Sequence, residues 1–153
     1  MNSIRVRMGD YLVSNGQKVL VTTVGSCVAV GLSNGNDIGG LAHIMLPEVD
    51  GKTDLIGKYA DTAIPAMIEE ISGYIDINEL EAKIAGGAQM FSFPSSSMSI
   101  GKRNVQKVEE VLKEMGIKIK GEDVGKNHGR TVEFHTAEGK MLIKQSNTVV
   151  LEL

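Results

Sequence analysis

The sequence predicts an α+β fold, a mixed β-sandwich with about two main helices packed on the outside. Runs of β-branched and apolar residues, which are typical of strands, occur in residues 19–46 and again after residue 116. Two segments with helical periodicity stand between these regions. The strands and helices do not alternate regularly, as they would in a doubly wound parallel sheet, so a sandwich is favoured.

The first predicted strands all precede Pro47. Residues 19–24 and 28–32 form two apolar runs, and residues 38–46 form a third that the proline ends. A turn rich in Asn and Gly at residues 34–37 separates the last two runs. Two of the three runs are apolar on both faces, which predicts central, buried strands.

The remaining helices and strands are predicted from the spacing of apolar residues, which changes between helical and strand periodicity along the chain. Apolar residues recur at helical spacing over residues 63–71, and Pro65 allows a start either near Asp61 or near Lys58 with a kink. A second helix is predicted over about residues 103–115, ended by Gly116. Further strands are predicted at residues 82–85, 117–120, 131–135, 141–144 and 148–153.

Composition limits the function classes. The chain has 153 residues, which predicts a single domain over residues 1–153. Its net charge of −3 and its few aromatic residues argue against nucleic acid as a partner. One cysteine excludes an intrachain disulfide, and no run of about 18 apolar residues is present. We therefore expect a cytoplasmic protein without direct membrane insertion.

Cys27 is the first candidate for chemistry. It ends the segment Gly25-Ser26-Cys27 between two apolar strands, where a tight bend would place backbone N–H groups beside the thiol. A thiol at its ordinary pKa is mostly protonated at neutral pH, so a base must activate it. The alternative is a buried structural thiol, because free cysteine is among the most buried residue types.

Three histidines are candidate bases: His43 in an apolar strand, His128 in a glycine-rich loop and His135 on a later strand. Each also has a structural interpretation, as a hydrogen-bonded core residue or a solvated surface residue. Three dispersed histidines and one cysteine lack metal-ligand spacing, and no phosphate-binding loop or GxSxG motif occurs. We expect no metal and no cofactor. The residues by themselves indicate a cysteine hydrolase.

Two blocks add a resemblance to this interpretation. Residues 22–30 (TTVGSCVAV) and 39–47 (GGLAHIMLP) resemble the signature of the chemoreceptor glutamine deamidases, the CheD family. Matching blocks at residues 57–61, 82–91, 100–104 and 122–130 follow in the family's order. The resemblance extends from about residue 8 to residue 142.

The resemblance implies an activity and three catalytic residues. Family members hydrolyse the side-chain amide of particular glutamines on methyl-accepting chemotaxis receptors, which leaves glutamate and ammonia and tunes chemotaxis adaptation. By resemblance, Cys27 is the nucleophile that forms a thioester, His43 is the base, and a threonine of the preceding strand orients the histidine. Thr22 and Thr23 face opposite sides of a strand, and Thr22 is the predicted third residue.

The resemblance also implies partners, and alternatives remain open. The implied partners are the cytoplasmic helices of chemotaxis receptors and the CheC phosphatase. One alternative is a regulatory binding module that acts mainly through CheC, and another is acyl transfer from glutamine to an amine by the same cysteine chemistry. Lys126 and Arg130 of the glycine-rich loop are predicted to steer the protein weakly toward acidic helix positions.

Overall fold

The computed structural model describes residues 3–90 and 99–153. These residues form two α-helices, α1 (Ala60–Ser72) and α2 (Ile100–Glu114), and two short 3₁₀ turns at Ile56–Lys58 and Ile77–Glu79. They also form ten strands: β1 (Ser3–Arg5), β2 (Tyr11–Asn15), β3 (Val19–Val24), β4 (Val28–Ser33), β5 (Ile38–Ile44), β6 (Glu81–Gly86), β7 (Lys118–Val124), β8 (Arg130–His135), β9 (Lys140–Gln145) and β10 (Thr148–Glu152).

The strands are divided between two five-stranded sheets. The first sheet has the order β1-β3-β8-β9-β10 and the second has the order β2-β5-β4-β6-β7. Each sheet is mixed, because β1 pairs with β3 and β6 pairs with β7 in parallel whereas the other neighbours are antiparallel. The chain passes from the first sheet to the second between β3 and β4, through the bend at residues 25–27.

The second sheet is the middle of three layers. On one face, alternate residues of β4 and β5 pack against the apolar sides of α1 and α2. On the other face, Ala29, Leu41 and Ala85 pack against residues of the first sheet such as Leu20 and Phe134. Strands β4 and β5 are buried along their whole length, as their two-sided apolar pattern predicts. None of the described helices has the length and apolarity needed to span a membrane.

The predicted α+β sandwich with two outer helices is confirmed, and the differences are local. Strands β1 and β2 were not predicted, because they are short and at least partly exposed and so lack a clear apolar pattern. Helix α1 begins at Ala60, close to the predicted start near Asp61, with Pro65 inside it. Helix α2 begins three residues before its predicted start, because Ser99 caps it by accepting a hydrogen bond from the Lys102 N–H at 3.3 Å.

Candidate active site

The bend at residues 25–27 is held by all three of its carbonyl groups. The carbonyl oxygens of Gly25 and Cys27 accept hydrogen bonds from the N–H groups of Ala88 and Gly87, at 2.9 and 2.8 Å. The carbonyl oxygen of Ser26 accepts a hydrogen bond from a side-chain amide of α2 at 2.9 Å. These contacts fix the bend from its α2 side, before any substrate is present.

The N–H groups of the same bend differ from its carbonyl groups in their hydrogen bonding. Within residues 3–90 and 99–153, no acceptor is paired with the N–H groups of Gly25, Ser26 or Cys27. The carbonyl and the N–H of one peptide unit point in opposite directions, so the held carbonyls of Gly25 and Ser26 direct the N–H groups of Ser26 and Cys27 away from the partners of those carbonyls. Such amides are suited to binding an anionic oxygen beside the thiol.

His43 lies on β5 and faces the space between the two sheets. It shares this face with Leu41, two residues earlier, and it is buried. Its Nδ1 atom is 2.6 Å from the hydroxyl oxygen of Thr22, which stands on β3 in the opposite sheet. The histidine and the threonine therefore join the two sheets by one hydrogen bond.

The partners of Thr22 determine which nitrogen of His43 carries the proton. The Thr22 hydroxyl donates to the carbonyl oxygen of Val6 at 2.8 Å, and a hydroxyl has one hydrogen to donate. It therefore accepts from His43, so the imidazole hydrogen is on Nδ1 and the lone pair is on Nε2. The Nε2 atom is buried and has no hydrogen-bond partner among the described residues. Its lone pair is available to a proton donor.

The position of Cys27 relative to His43 follows from strand register. Ala29 of β4 lies directly opposite His43 of β5, and Cys27 precedes Ala29 by two residues. Cys27 itself belongs to the bend, and it packs against the same inter-sheet cluster as Ala29. This contact places Cys27 on the side of the second sheet that His43 faces.

Burial affects the two groups in opposite directions. Burial raises the pKa of the Cys27 thiol above its ordinary 9.0, and burial lowers the pKa of His43 below 6.5. Both shifts favour the uncharged form of the group. At neutral pH the site therefore holds a thiol and a neutral imidazole, not a thiolate and an imidazolium.

The other candidate histidines lie elsewhere. His135 ends β8 and pairs in register with Val19, at the end of β3 far from the bend, where its Nδ1 is 3.3 Å from the Gln17 amide. His128 lies in the loop between β7 and β8, half-buried. Thr23 is exposed on the outer face of the first sheet, and its hydroxyl is 3.1 Å from that of Thr131. Of the two adjacent threonines, Thr22 is the one that contacts His43.

The proposed steering role of Arg130 is contradicted by its position. Arg130 is fully buried, and its Nε donates to an Asp123 carboxylate oxygen at 2.9 Å. Its other nitrogens donate to the carbonyl oxygens of Gly125 and Gly86, at 2.9 and 3.3 Å. Lys126 is exposed, but it too faces Asp123, at 3.3 Å. Arg130 therefore holds the turn after β6 in place and offers no charge to a partner.

The fold and the site define a class of protein: an α+β sandwich with a cysteine in the bend between two sheets and, on the same inter-sheet side, a buried histidine that is oriented by a threonine. Comparisons with known proteins agree on one family. A sequence model described as "CheD chemotactic sensory transduction" matches residues 45–145. The chemoreceptor glutamine deamidase CheD of Thermotoga maritima is 46% identical over 143 residues, which cover 92% of this chain and 90% of that protein.

Archaeal and further bacterial relatives show the same likeness. Proteins named as probable chemoreceptor glutamine deamidases CheD from Methanococcus vannielii and Clostridium botulinum are each 42% identical over 151 residues. The alignment covers 95% of this chain and 97% of the Methanococcus protein. The chain belongs to the CheD family.

Proposed function

We propose that this protein is a glutamine deamidase that converts glutamines of methyl-accepting chemotaxis receptors to glutamate. The observation that carries the proposal is the state of His43, whose Nδ1–H is held by Thr22 and whose buried Nε2 is left without a partner, on the face shared with Cys27. The substrate class comes from the names of the relatives, which are chemoreceptor glutamine deamidases. The protein would act in the cytoplasm, where the proposed receptor helices lie.

The first half of the proposed reaction forms a thioester. The Cys27 sulfur attacks the carbon of the glutamine side-chain amide while the thiol proton passes to Nε2 of His43. The electron pair of the carbonyl moves to its oxygen, which the N–H groups of the bend then stabilise. When this intermediate collapses, the carbon–nitrogen bond breaks, the imidazolium returns its proton to the leaving nitrogen, and ammonia departs.

The second half of the reaction uses water. His43 takes a proton from a water molecule, whose oxygen attacks the thioester carbon. The carbon–sulfur bond then breaks, and the sulfur recovers the proton from the imidazolium. The products are glutamate and ammonia, and water is the one co-reactant that the balance requires.

Thr22 has a defined part in this mechanism. A hydroxyl that donates to a backbone carbonyl can accept from Nδ1–H and so keep the imidazole in the required tautomer. Unlike a carboxylate, it supplies no negative charge to stabilise the imidazolium. The lowered pKa of His43 is consistent with this neutral setting. We therefore propose that His43 carries a positive charge only briefly in each half-reaction.

The decisive experiment incubates the protein with a receptor cytoplasmic fragment and follows conversion of glutamine to glutamate by mass spectrometry. Cys27→Ala should abolish conversion, and His43→Ala should lower kcat by ~10²- to 10⁴-fold. His135→Ala is the matched control, because that histidine lies at the far end of β3. Conversion that persists in Cys27→Ala would contradict the proposal. Excess amine tests the alternative, since amine incorporated at glutamine would indicate acyl transfer.

The CheC phosphatase is a second proposed partner, and this proposal rests on the sequence resemblance. Binding of the two proteins would be measured by isothermal titration calorimetry with wild type and with Cys27→Ala. A Cys27→Ala protein that retained the whole cellular effect on chemotaxis would favour the alternative of a regulatory binding module. Loss of that effect with binding intact would favour the deamidase.

A further inference from the structure

Asn104 of α2 contacts both sides of the candidate site. Its side chain is fully buried, and its Nδ2 donates to the carbonyl oxygen of Ser26 at 2.9 Å and to that of Met45 at 3.1 Å. Ser26 precedes the candidate nucleophile, and Met45 follows the candidate base by two residues. One amide group thus joins the bend of Cys27 to the strand end of His43.

The orientation of this amide is determined by its neighbours. With Nδ2 toward the two carbonyl oxygens, both of its hydrogens have acceptors. If the amide were rotated by 180°, Oδ1 would lie against those two carbonyl oxygens with no hydrogen between them. In the orientation observed, Oδ1 is buried and has no partner among the described residues. A buried oxygen without a partner destabilises the folded chain. Asparagine is also a poor helix former, so helix propensity does not explain its presence, and the two bonds that Nδ2 donates are what the residue supplies here.

The helix that carries Asn104 rests directly on the segment that holds the rest of the bend. A Cβ atom added at Gly101 would lie 2.4 Å from the carbonyl oxygen of Ala88 and 2.6 Å from that of Gly87. Residues three apart on a helix share a face, so Gly101 and Asn104 both point toward the bend. Gly87 and Ala88 bind two of the bend carbonyls, and Asn104 binds the third. Helix α2 is therefore part of the support of the bend.

The hydrogen bond to Ser26 has a consequence for the next amide group. The peptide unit between Ser26 and Cys27 is planar and trans, so its carbonyl and its N–H point in opposite directions. Holding the Ser26 carbonyl toward α2 directs the Cys27 N–H away from α2. The Met45 bond ties this peptide plane to the strand of His43.

We propose that Asn104 is a positioning residue for the reaction: it orients the Ser26–Cys27 peptide so that the Cys27 N–H binds the oxyanion formed from the substrate amide. The inference rests on the proposed deamidase function and adds a residue to it. Asn104 does not touch the reacting atoms. It acts on the transition state through the backbone, so its loss should slow acylation without weakening substrate binding.

The test compares Asn104→Ala and Asn104→Leu with wild type on a receptor fragment. We expect kcat to fall ~10- to 100-fold with little change in KM, because the Cys27 N–H would no longer be directed at the oxyanion. The second measurement is the rate at which iodoacetamide alkylates Cys27. Alkylation forms no oxyanion, so variants with a folded site should react at close to the wild-type rate, whereas unfolding would expose the partly buried thiol and change that rate.

The matched control is Thr136→Val. Thr136 is likewise fully buried, and its hydroxyl donates to Gly16 and accepts from the Lys18 N–H, at the end of β3 far from the bend. This variant should lose stability but keep its kcat. Wild-type kcat in both Asn104 variants, or a loss of alkylation equal to the loss of kcat, would overturn the inference. A wild-type protein without deamidase activity would instead refute the proposed function, so the two failures are distinguishable.

Discussion

Replacing Thr22 by valine tests the proposed histidine orientation most directly. Valine has nearly the shape of threonine, so the substitution removes the hydroxyl and little else. It leaves the Nδ1–H of His43 and the carbonyl of Val6, both buried, without their partner. Each such group costs ~1–3 kcal/mol, so the free energy of unfolding should fall by ~2–6 kcal/mol.

The effect on activity should exceed what this loss of stability explains. Without the hydroxyl, nothing fixes the hydrogen of His43 on Nδ1, and the tautomer with hydrogen on Nε2 cannot accept the thiol proton. General-base catalysis contributes 10²–10⁴-fold, so we expect kcat to fall by ~100-fold in Thr22→Val. Thr22→Ser keeps the hydroxyl and should retain most of the activity. Long-range nitrogen–hydrogen NMR of His43 would report the tautomer directly.

Thr23→Val is the matched control for this experiment. It is the same substitution one residue further along β3, at an exposed hydroxyl that pairs with Thr131. Urea unfolding and deamidation of a receptor fragment would be measured for both variants. If Thr22→Val kept the wild-type kcat, or if Thr23→Val were equally impaired, the assignment of Thr22 as the orienting residue would be wrong.

Three further predictions concern pH, the buried ion pair and the bend. Because burial lowers the pKa of His43 below 6.5 and the base must be neutral, kcat/KM should rise along an acid limb below pH 6.5 and then level off; a limb above pH 6.5 would contradict this. Arg130→Ala leaves the buried Asp123 carboxylate with the exposed Lys126 in place of its buried partner, and should lower the free energy of unfolding, measured in urea, by up to ~3–5 kcal/mol. Gly86→Ala would place a Cβ atom 2.2 Å from the Cys27 carbonyl oxygen, so this substitution should displace the bend and reduce kcat. Gly16→Ala is the control, because Gly16 has a similar φ of +113° but no neighbour within 4 Å of an added Cβ. The control should lower stability without lowering kcat.

The layers of this fold could be predicted from the sequence because buried strands and helices show a recognisable pattern of apolar residues. The two-sided apolar runs of β4 and β5 identified central strands, and both are buried throughout. Strand β1 consists of three exposed residues, so its sequence shows no such apolar pattern. The start of α2 was missed because Gly101 weakens the helical pattern in its first turn, where a glycine is required by contact with residues 87 and 88.

Only some residues of the candidate site could be predicted from the sequence. Cys27 was a candidate because it lies in a bend between apolar strands, whereas His43 was one of three candidate histidines until the family resemblance distinguished it. Asn104 and Arg130 gave no comparable signal, since a polar residue on a helix or in a glycine-rich loop is ordinarily solvated. Three of their partners are carbonyl groups distant in sequence, whereas Asp123 and Gly125 lie close to Arg130 along the chain. Long-range pairing of this kind depends on tertiary structure and is not visible as local pattern.

The hydrogen bond between Thr22 and His43 crosses from one sheet to the other. Apart from polar links such as those of Arg130 to Asp123 and Gly86, the two sheets are joined by apolar side chains, whose attraction is non-directional and tolerates small displacements. A hydrogen bond weakens steeply with distance and angle. Sliding of one sheet over the other by about an ångström would therefore misalign the histidine while the core remained buried. The catalytic rate would therefore be sensitive to small sliding movements between the two sheets. Mild denaturant should lower the activity of the protein at concentrations below those that unfold the chain.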